Sequence, residues 1–447
     1  MKSLKRKIVD KLHLAGNKKK VALNIFWAML GKIVNMAGAL LVAILVARYL
    51  GPENYGVMNY VISYVAMFMV LSEFGMSSIE IRELSSNPDK KESILGTCFV
   101  IRLIFSVITY ILIVITLWVF KTDSFTTSMI LLYSLSLFAN TFQLIRNYFT
   151  SIVKNEYVVK SEISRTIIGA IIKIVLVCLN CSVEWFIFAS LLDTVLVASG
   201  YFFSYRTIVG KITCWKFEKN MVWYIIKESF PLVLSGAAVV IYQRIDQVMI
   251  GNMIDKSSVA YFATAGKFLD LVIFLPMVLT QTITPLLVVV KEENYKKYVQ
   301  KKYQFLSVVL WISIILSVFL SVSSYWLIYY SYGEKYLSAV PVLQIMAFKT
   351  VGMALSSSSG ELIIIEKMQK WAVIRNLIGC IVCVTLNYLL IPKYGIVGSA
   401  WVTILTLFSS GLLGNFMIPR YRPIARLQLK ALFLGWKEVI NLKKMRQ

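Results

Sequence analysis

An all-α polytopic membrane protein is the fold class this 447-residue sequence predicts, with about twelve transmembrane helices in two pseudo-symmetric six-helix lobes around a central cavity. Three observations predict it. Apolar residues make up 58% of the chain and charged ones 16%, with a mean hydropathy of +0.71, outside the range of water-soluble folds. The apolar residues fall in successive stretches long enough to cross a hydrocarbon core of roughly 30 Å, which takes about 20 residues. The 47 Lys and Arg gather at alternate ends of those stretches. A barrel would instead alternate polar and apolar residues at every second position.

From the N-terminus the spans run at about 21–48, 56–80, 93–120, 126–149, 161–180, 184–205, 221–250, 258–290, 303–328, 337–365, 371–391 and 396–418. The first follows a tail that is basic from Lys2 to Lys20 and has no small-residue cleavage site, so it reads as retained. Even-numbered spans end in cation-bearing segments at 82–91, 154–160, 206–219, 291–302 and 367–370, and the last runs into the basic tail Arg420 to Arg446. The opposite ends carry Arg48, Lys121, Lys256, Lys335 and Lys393 on short loops. On that count thirty-two cations are cytoplasmic and five external, which places both termini in the cytoplasm. Most of the +24 net charge is thereby topological. Both tails read as held at an anionic leaflet, and no nucleic-acid partner follows from the pI.

The polar connection around 206–220 divides the chain into an N-lobe, 1–212, and a C-lobe, 213–447. Arg165-Thr-Ile-Ile-Gly169 recurs as Arg375-Asn-Leu-Ile-Gly379, an offset of 210 residues. With six spans in each half the relation is a parallel repeat about an axis along the membrane normal.

Catalysis finds no footing. The single histidine, His13, lies in the basic tail, no phosphate-binding loop occurs, and no catalytic constellation or metal-ligand cluster can be assembled. The pairs Cys178/Cys181 and Cys380/Cys383 have CxxC spacing but sit in or beside apolar runs, where thiols act as small hydrophobes. External loops are too short for a domain acting on external substrates.

Ten cations remain within the spans, each costing roughly 2.5–3.5 kcal/mol at the bilayer centre on insertion scales. Arg146, Arg165, Lys227 and Arg375 lie near cytoplasmic ends and read as snorkelling. Lys32, Arg102, Lys173, Lys267 and Lys349 lie deeper, and for these five the readings are cavity lining or pairing with a buried acid; Arg244 is the tenth. Asn24, Gly31, Asn35 and Gly38 share one face of span one, with Lys32 on its flank. Lys349, Gly352, Ser356 and Ser359 share one in span ten, and Pro231, Ser235, Tyr242 and Asp246 one in span seven. Close helix packing and cavity lining both suit such stripes. Glu73, Asp193, Asp246 and Asp270 are the acids best placed for ion coupling. The excess of cations predicts a cavity of positive potential, suited to an anion.

Several motifs then resemble a known family. Leu50-Gly51-Pro52-Glu53-Asn54-Tyr55-Gly56 after span one, Glu73-Phe-Gly75 with Arg82-Glu83-Leu84, Phe230-Pro231, Arg244-Ile-Asp246 through Gly251 with Tyr261 and Lys267, and Tyr394-Gly395 through Ala400 are similar to segments of bacterial polysaccharide-transporter flippases. These belong with the multidrug exporters of MATE type in the MOP superfamily. The resemblance covers essentially the whole chain, with Glu73 standing where many relatives have Asp. It implies translocation of undecaprenyl-pyrophosphate-linked oligosaccharide, as in O-antigen, lipopolysaccharide or capsule assembly, by alternating access without chemistry or cofactor. It also implies an environment shared with the polymerase and chain-length proteins of such a pathway. A proton gradient, a sodium gradient and the membrane potential stay open as energy sources. The rivals are a drug or ion antiporter of the same architecture and a membrane-embedded glycan polymerase or ligase.

Overall fold

A computed structural model describes the backbone of residues 2–440 and the side chains from 32 onward, except 33, 370, 439 and 440. His13, Asn24, Gly31, the side chains of the tail Lys2 to Lys20, and Lys443, Lys444 and Arg446 therefore lie outside the described residues. No strand occurs among the described residues. The helices are α1 (Lys2–Glu73), α2 (Ser77–Ser86), α3 (Lys91–Val119), α4 (Ser124–Ser134), α5 (Ser136–Asn140), α6 (Gln143–Ser151), α7 (Asn155–Cys178), α8 (Val183–Ile208) and α9 (Lys219–Met253). Then come α10 (Lys256–Glu293), α11 (Tyr295–Tyr332), α12 (Ala339–Met346), α13 (Lys349–Ile365), α14 (Ala372–Phe408), a π-helical turn (Ser409–Leu413), α15 (Gly414–Met417), α16 (Arg422–Leu434) and α17 (Trp436–Ile440).

Nine helical segments among the described residues are long and apolar enough to cross a membrane. Two of them, Val34–Ser86 with 53 residues and Ala372–Met417 with 46, are about twice the length a single crossing needs. Each is interrupted at a glycine whose positive φ a side chain would resist: Gly51 (φ 71) and Gly395 (φ 58). Pro52 follows the first break at the opening of the next helix, where its missing N–H is no loss. Outside the nine stands α7, which carries Lys160, Glu162, Arg165 and Lys173. Each interval expected to span is almost wholly helical.

The helices are dressed for lipid. On α3, Ile104, Ile108, Ile111, Ile115 and Trp118 are exposed, while Arg102, Ser106, Thr109 and Ile113 are buried. An exposed stripe that is wholly apolar over a buried face bearing an arginine inverts the pattern of a soluble helix.

Two compact units are formed, one from Met1–Val42 with Phe68–Val233, the other from Ala43–Met67 with Leu234–Gln447. In the second unit the residues after the Gly51 break pack tightly. Tyr55 is fully buried edge-on to Tyr336, whose hydroxyl donates to the Ala47 carbonyl at 2.7 Å, and Tyr261 meets the same ring. A Cβ at Gly56 would overlap the Lys256 carbonyl oxygen. The signature residues Gly51, Tyr55, Gly56 and Tyr261 are thus turn and packing positions. Gly56→Ala is expected to cost about 3 kcal/mol or more through backbone displacement. Gly266→Ala, with nothing near its Cβ, should raise stability by about 0.5–1 kcal/mol; thermal melting of the two variants in detergent checks both.

Of the C-terminal basic segment, expected as a tail, Arg422–Leu434 form a docked helix. On α16, Ile424, Ala425, Gln428 and Ala431 are buried, and the Gln428 amide donates to the carbonyls of Leu355 and Gly411 at 2.8 and 3.2 Å. The buried residues, from Ile424 to Ala431, cover about two turns and pack against α11 and α13.

Candidate functional site: a cationic cavity and a buried carboxylate

In the second unit, α9, α10 and the start of α13 surround a cavity of about 180 Å3. Arg244 and Asp246 reach it from α9, Lys267 and Asp270 from α10, and Lys349 from the first residue of α13, with Asn59, Gln243 and Gln247 adding amides. Three cations against two carboxylates leave it positive. Its volume lies below the roughly 300–1,000 Å3 of small-molecule pockets, so it accommodates a charged group and not an oligosaccharide. The α12–α13 break at Ala347 and Phe348 starts α13 at Lys349, which is how a lysine deep in an apolar stretch comes to face polar company.

Asp246 forms the floor. Its side chain is buried; Oδ1 accepts from the Asn387 amide at 2.6 Å and the Cys383 thiol at 3.3 Å, and Oδ2 accepts from the Thr403 hydroxyl at 2.9 Å. The Asn387 Oδ1 is buried without a partner. The amide presents its nitrogen and not its oxygen to the carboxylate, so an all-oxygen site for a small hard cation needs the Asn387 amide turned over; a proton on Asp246 needs no such change. The partners come from α14, where Arg375, Gly379, Cys383 and Asn387 form one buried stripe spaced by four. That spacing was the available signal in the sequence, and reading the cysteines as hydrophobes hid it.

Other expected site residues are placed differently. Arg102 is 1% exposed and Glu80 is not exposed at all; Nε and Nη2 of the arginine donate to the two Glu80 oxygens at 2.7 and 3.0 Å, and the Asn147 amide donates to the same carboxylate at 2.6 Å. This guanidinium is spent on its partner and has no face for a ligand, so cavity lining does not hold for it. Glu73 ends α1, half-buried within the field of Arg102, Glu80 and Arg146. Lys173 and Asp193, expected separately for substrate and ion, are paired with each other across α7 and α8, beside Gly169, where a Cβ would overlap the carboxylate. The 210-residue offset sets Gly169, Lys173 and Asp193 against Gly379, Cys383 and Thr403. In the repeat position of two Asp246 ligands, then, the first unit holds its own ion pair. Lys32 is exposed on α1.

Arg375 does not snorkel. It is 8% exposed, and its Nη1 donates to the Ser359 hydroxyl at 3.1 Å. The glycine and serine stripes pack. Asn35 donates to Glu162 at 3.2 Å, and a Cβ at Gly38 would crowd Thr166 at 2.6 Å. Gly352 abuts Leu407, Gly411 abuts Ser356, and Ser235 meets the Asn376 amide at 2.8 Å. Of the span-ten stripe only Lys349 reaches the cavity. The described cysteines are all free thiols, and no cluster of three His, Cys, Asp or Glu occurs among the described residues.

The sequence profile of the polysaccharide biosynthesis protein family matches residues 21–290, more than half of the chain. The chain belongs to that family. A second profile, MatE, matches residues 231–389, which include the cavity residues of α9, α10 and α13 and, of the Asp246 site, Cys383 and Asn387. No curated protein matches it in sequence. Among solved structures it is similar to the lipid II flippase MurJ in an inward closed conformation, with a TM-score of 0.67 at 18% identity over 94% of this chain and 93% of that one. It is also similar to an inward-facing multidrug resistance MATE family transporter of the MOP superfamily, with a TM-score of 0.65 at 15% identity over 87% and 96%. A MOP superfamily transporter from Pyrococcus furiosus gives a TM-score of 0.53 at 14% identity over 95% and 96%. At these identities the likeness establishes the fold, a multi-pass helical membrane architecture of MOP type.

Proposed function

We propose that this chain is a flippase that carries an undecaprenyl-pyrophosphate-linked oligosaccharide, an O-antigen or capsule repeat unit, across the bacterial plasma membrane. The observation that carries the reading is the cavity of Arg244, Lys267 and Lys349 among membrane-spanning helices. A lipid tail can stay in the bilayer while a pyrophosphate meets these cations, so the protein needs only to lower a desolvation barrier. Membership of the polysaccharide biosynthesis family and the fold shared with a lipid II flippase support the same reading. An exporter of cationic drugs is disfavoured by the sign of the cavity.

A pyrophosphate diester carries roughly two negative charges, and an inside-negative potential of about 100 mV favours outward movement of each by about 2.3 kcal/mol, on the order of 4–5 kcal/mol in all. Cation exchange at Asp246 is the second source of energy we propose. The assignment is tested with a labelled polyprenyl-pyrophosphate oligosaccharide in vesicles, following its transfer between leaflets. Lys267→Met with Lys349→Met is expected to slow transfer at least about tenfold, since two charge-assisted contacts are removed, while the protein still inserts. Unchanged transfer in that double variant, or export of a cationic dye in place of the lipid, would overturn the assignment.

A further inference from the structure

The outward face of α16 has a pattern that helix stability does not explain. Arg422, Arg426 and Lys430 repeat at intervals of four, so they lie on one stripe, opposite the docked residues Gln428 and Ala431. All three are exposed. Like charges at that spacing destabilise an isolated helix, and no acid within α16 relieves them. Lys437 follows on α17, and the one acid there, Glu438, is engaged by the Gln304 amide at 3.1 Å. Of the three, Arg422 uses Nε on the Phe416 carbonyl at 3.1 Å, and Lys430 stands 5.0 Å from the centre of the Tyr303 ring.

The hydrogen bonds of this helix fix its level within the second unit. Before its start, the Tyr421 hydroxyl donates to the Met368 carbonyl at 2.7 Å, in the polar turn that follows α13. Near its end, the Trp311 indole donates to the Ala431 carbonyl at 3.0 Å, well inside the apolar part of α11. On either side of that contact Lys430 meets Tyr303, Gly435 abuts Ser307 and Glu438 meets Gln304, so the second half of α16 and the start of α17 run beside the polar end of α11. Beyond the cationic stripe the exposed side chains are Phe433 (70% exposed), Leu434 and Trp436. Exposed cations followed by exposed large apolar groups, on a segment beside the polar end of a spanning helix, are what a membrane interface receives.

We propose that the exposed face of α16 binds the headgroups of anionic phospholipids, with Arg422, Arg426 and Lys430 on the phosphates and Phe433, Leu434 and Trp436 among the acyl chains. Charge complementarity selects the occupant: the stripe is cationic, it lies beside membrane-spanning helices, and a zwitterionic headgroup neutralises it less well than an anionic one. Since α16 is clamped to α11 and α13, lipid bound there is bound by the second unit and not by a loose tail.

The test counts lipids retained by the full chain from detergent micelles containing equal amounts of phosphatidylglycerol and phosphatidylcholine, by native mass spectrometry. The wild type is expected to retain phosphatidylglycerol several-fold over phosphatidylcholine, with the preference falling steeply as salt is raised. Arg422→Gln with Arg426→Gln and Lys430→Gln should bring the ratio close to one, and the charge-preserving set Arg422→Lys, Arg426→Lys and Lys430→Arg should keep it. A preference that survives in the glutamine variant overturns the proposal. So does competition by inorganic phosphate as effective as that by the lipid, which would make the stripe a site for a soluble anion. Should the triple variant not fold, the salt titration of the wild type decides alone: a preference insensitive to salt overturns it.

Discussion

Glu80→Ala is expected to cost the first unit about 3–5 kcal/mol, the range measured when one partner of a buried ion pair is removed. The carboxylate has no exposure and receives three hydrogen bonds, two from Arg102 and one from Asn147. Its loss strands a guanidinium that is itself 1% exposed, with Ser77 as its remaining partner at 3.2 Å. Arg102→Ala should cost a similar amount for the mirrored reason. The double variant Arg102→Met with Glu80→Leu should recover most of the loss, because two apolar groups of matching size remove both desolvation penalties together. Thermal unfolding in detergent, with all variants purified in parallel, measures these differences. Should Glu80→Ala melt within a degree or two of the wild type, the pair would be structurally idle and Arg102 would again be available to a ligand.

That pair also shows what the sequence could convey. The apolar runs and the basic segments between them are local features, and helix followed from them over each expected span, while helix ends moved by several residues and 126–149 and 337–365 are broken into shorter helices. A cation inside an apolar run is another matter. Its cost is local, but what offsets that cost is tertiary: Glu80 lies 22 residues before Arg102, on a helix that the hydropathy pattern had merged with the end of span two. Asn387 and Thr403 lie 141 and 157 residues after the aspartate they contact. Lys173, Lys267 and Lys349 read alike as deep cations, yet one is paired and two line a cavity, while Arg375, read as snorkelling, is buried against a serine. Asp246, Asp270, Lys267 and Lys349 could be picked because α9, α10 and α13 each bring one or two charged residues to a common space. The docked α16 was missed for the opposite reason, since its charge drew attention and the buried period of Ile424, Gln428 and Ala431 beneath it did not.

On the proposed cation exchange at Asp246, Asp246→Asn is expected to remove the response of transport to a cation gradient while leaving insertion and folding intact. The substitution keeps the shape of the side chain and one acceptor oxygen for the donors of Asn387, Cys383 and Thr403, but it removes the negative charge that a bound cation would require. If transport is coupled through this site, the coupling free energy belongs to the usual range of about 1–3 kcal/mol, so transport should lose roughly 5–150-fold of its response to an imposed gradient. A binding measurement isolates the site from the rest of the cycle. A cation that binds the folded chain raises its melting temperature, by about 2.7 kcal/mol of added stability at a hundred times its dissociation constant. Sodium should therefore stabilise the wild type over potassium, and Asp246→Asn should melt alike in both. Asn387→Ala, which removes the unpartnered amide oxygen, should weaken the sodium effect without abolishing it. If neither salt distinguishes the wild type from Asp246→Asn, but lowering the pH does, the exchanged cation is a proton; if no condition separates them, Asp246 is a buried structural acid and the membrane potential acting on the pyrophosphate is left as the driving force.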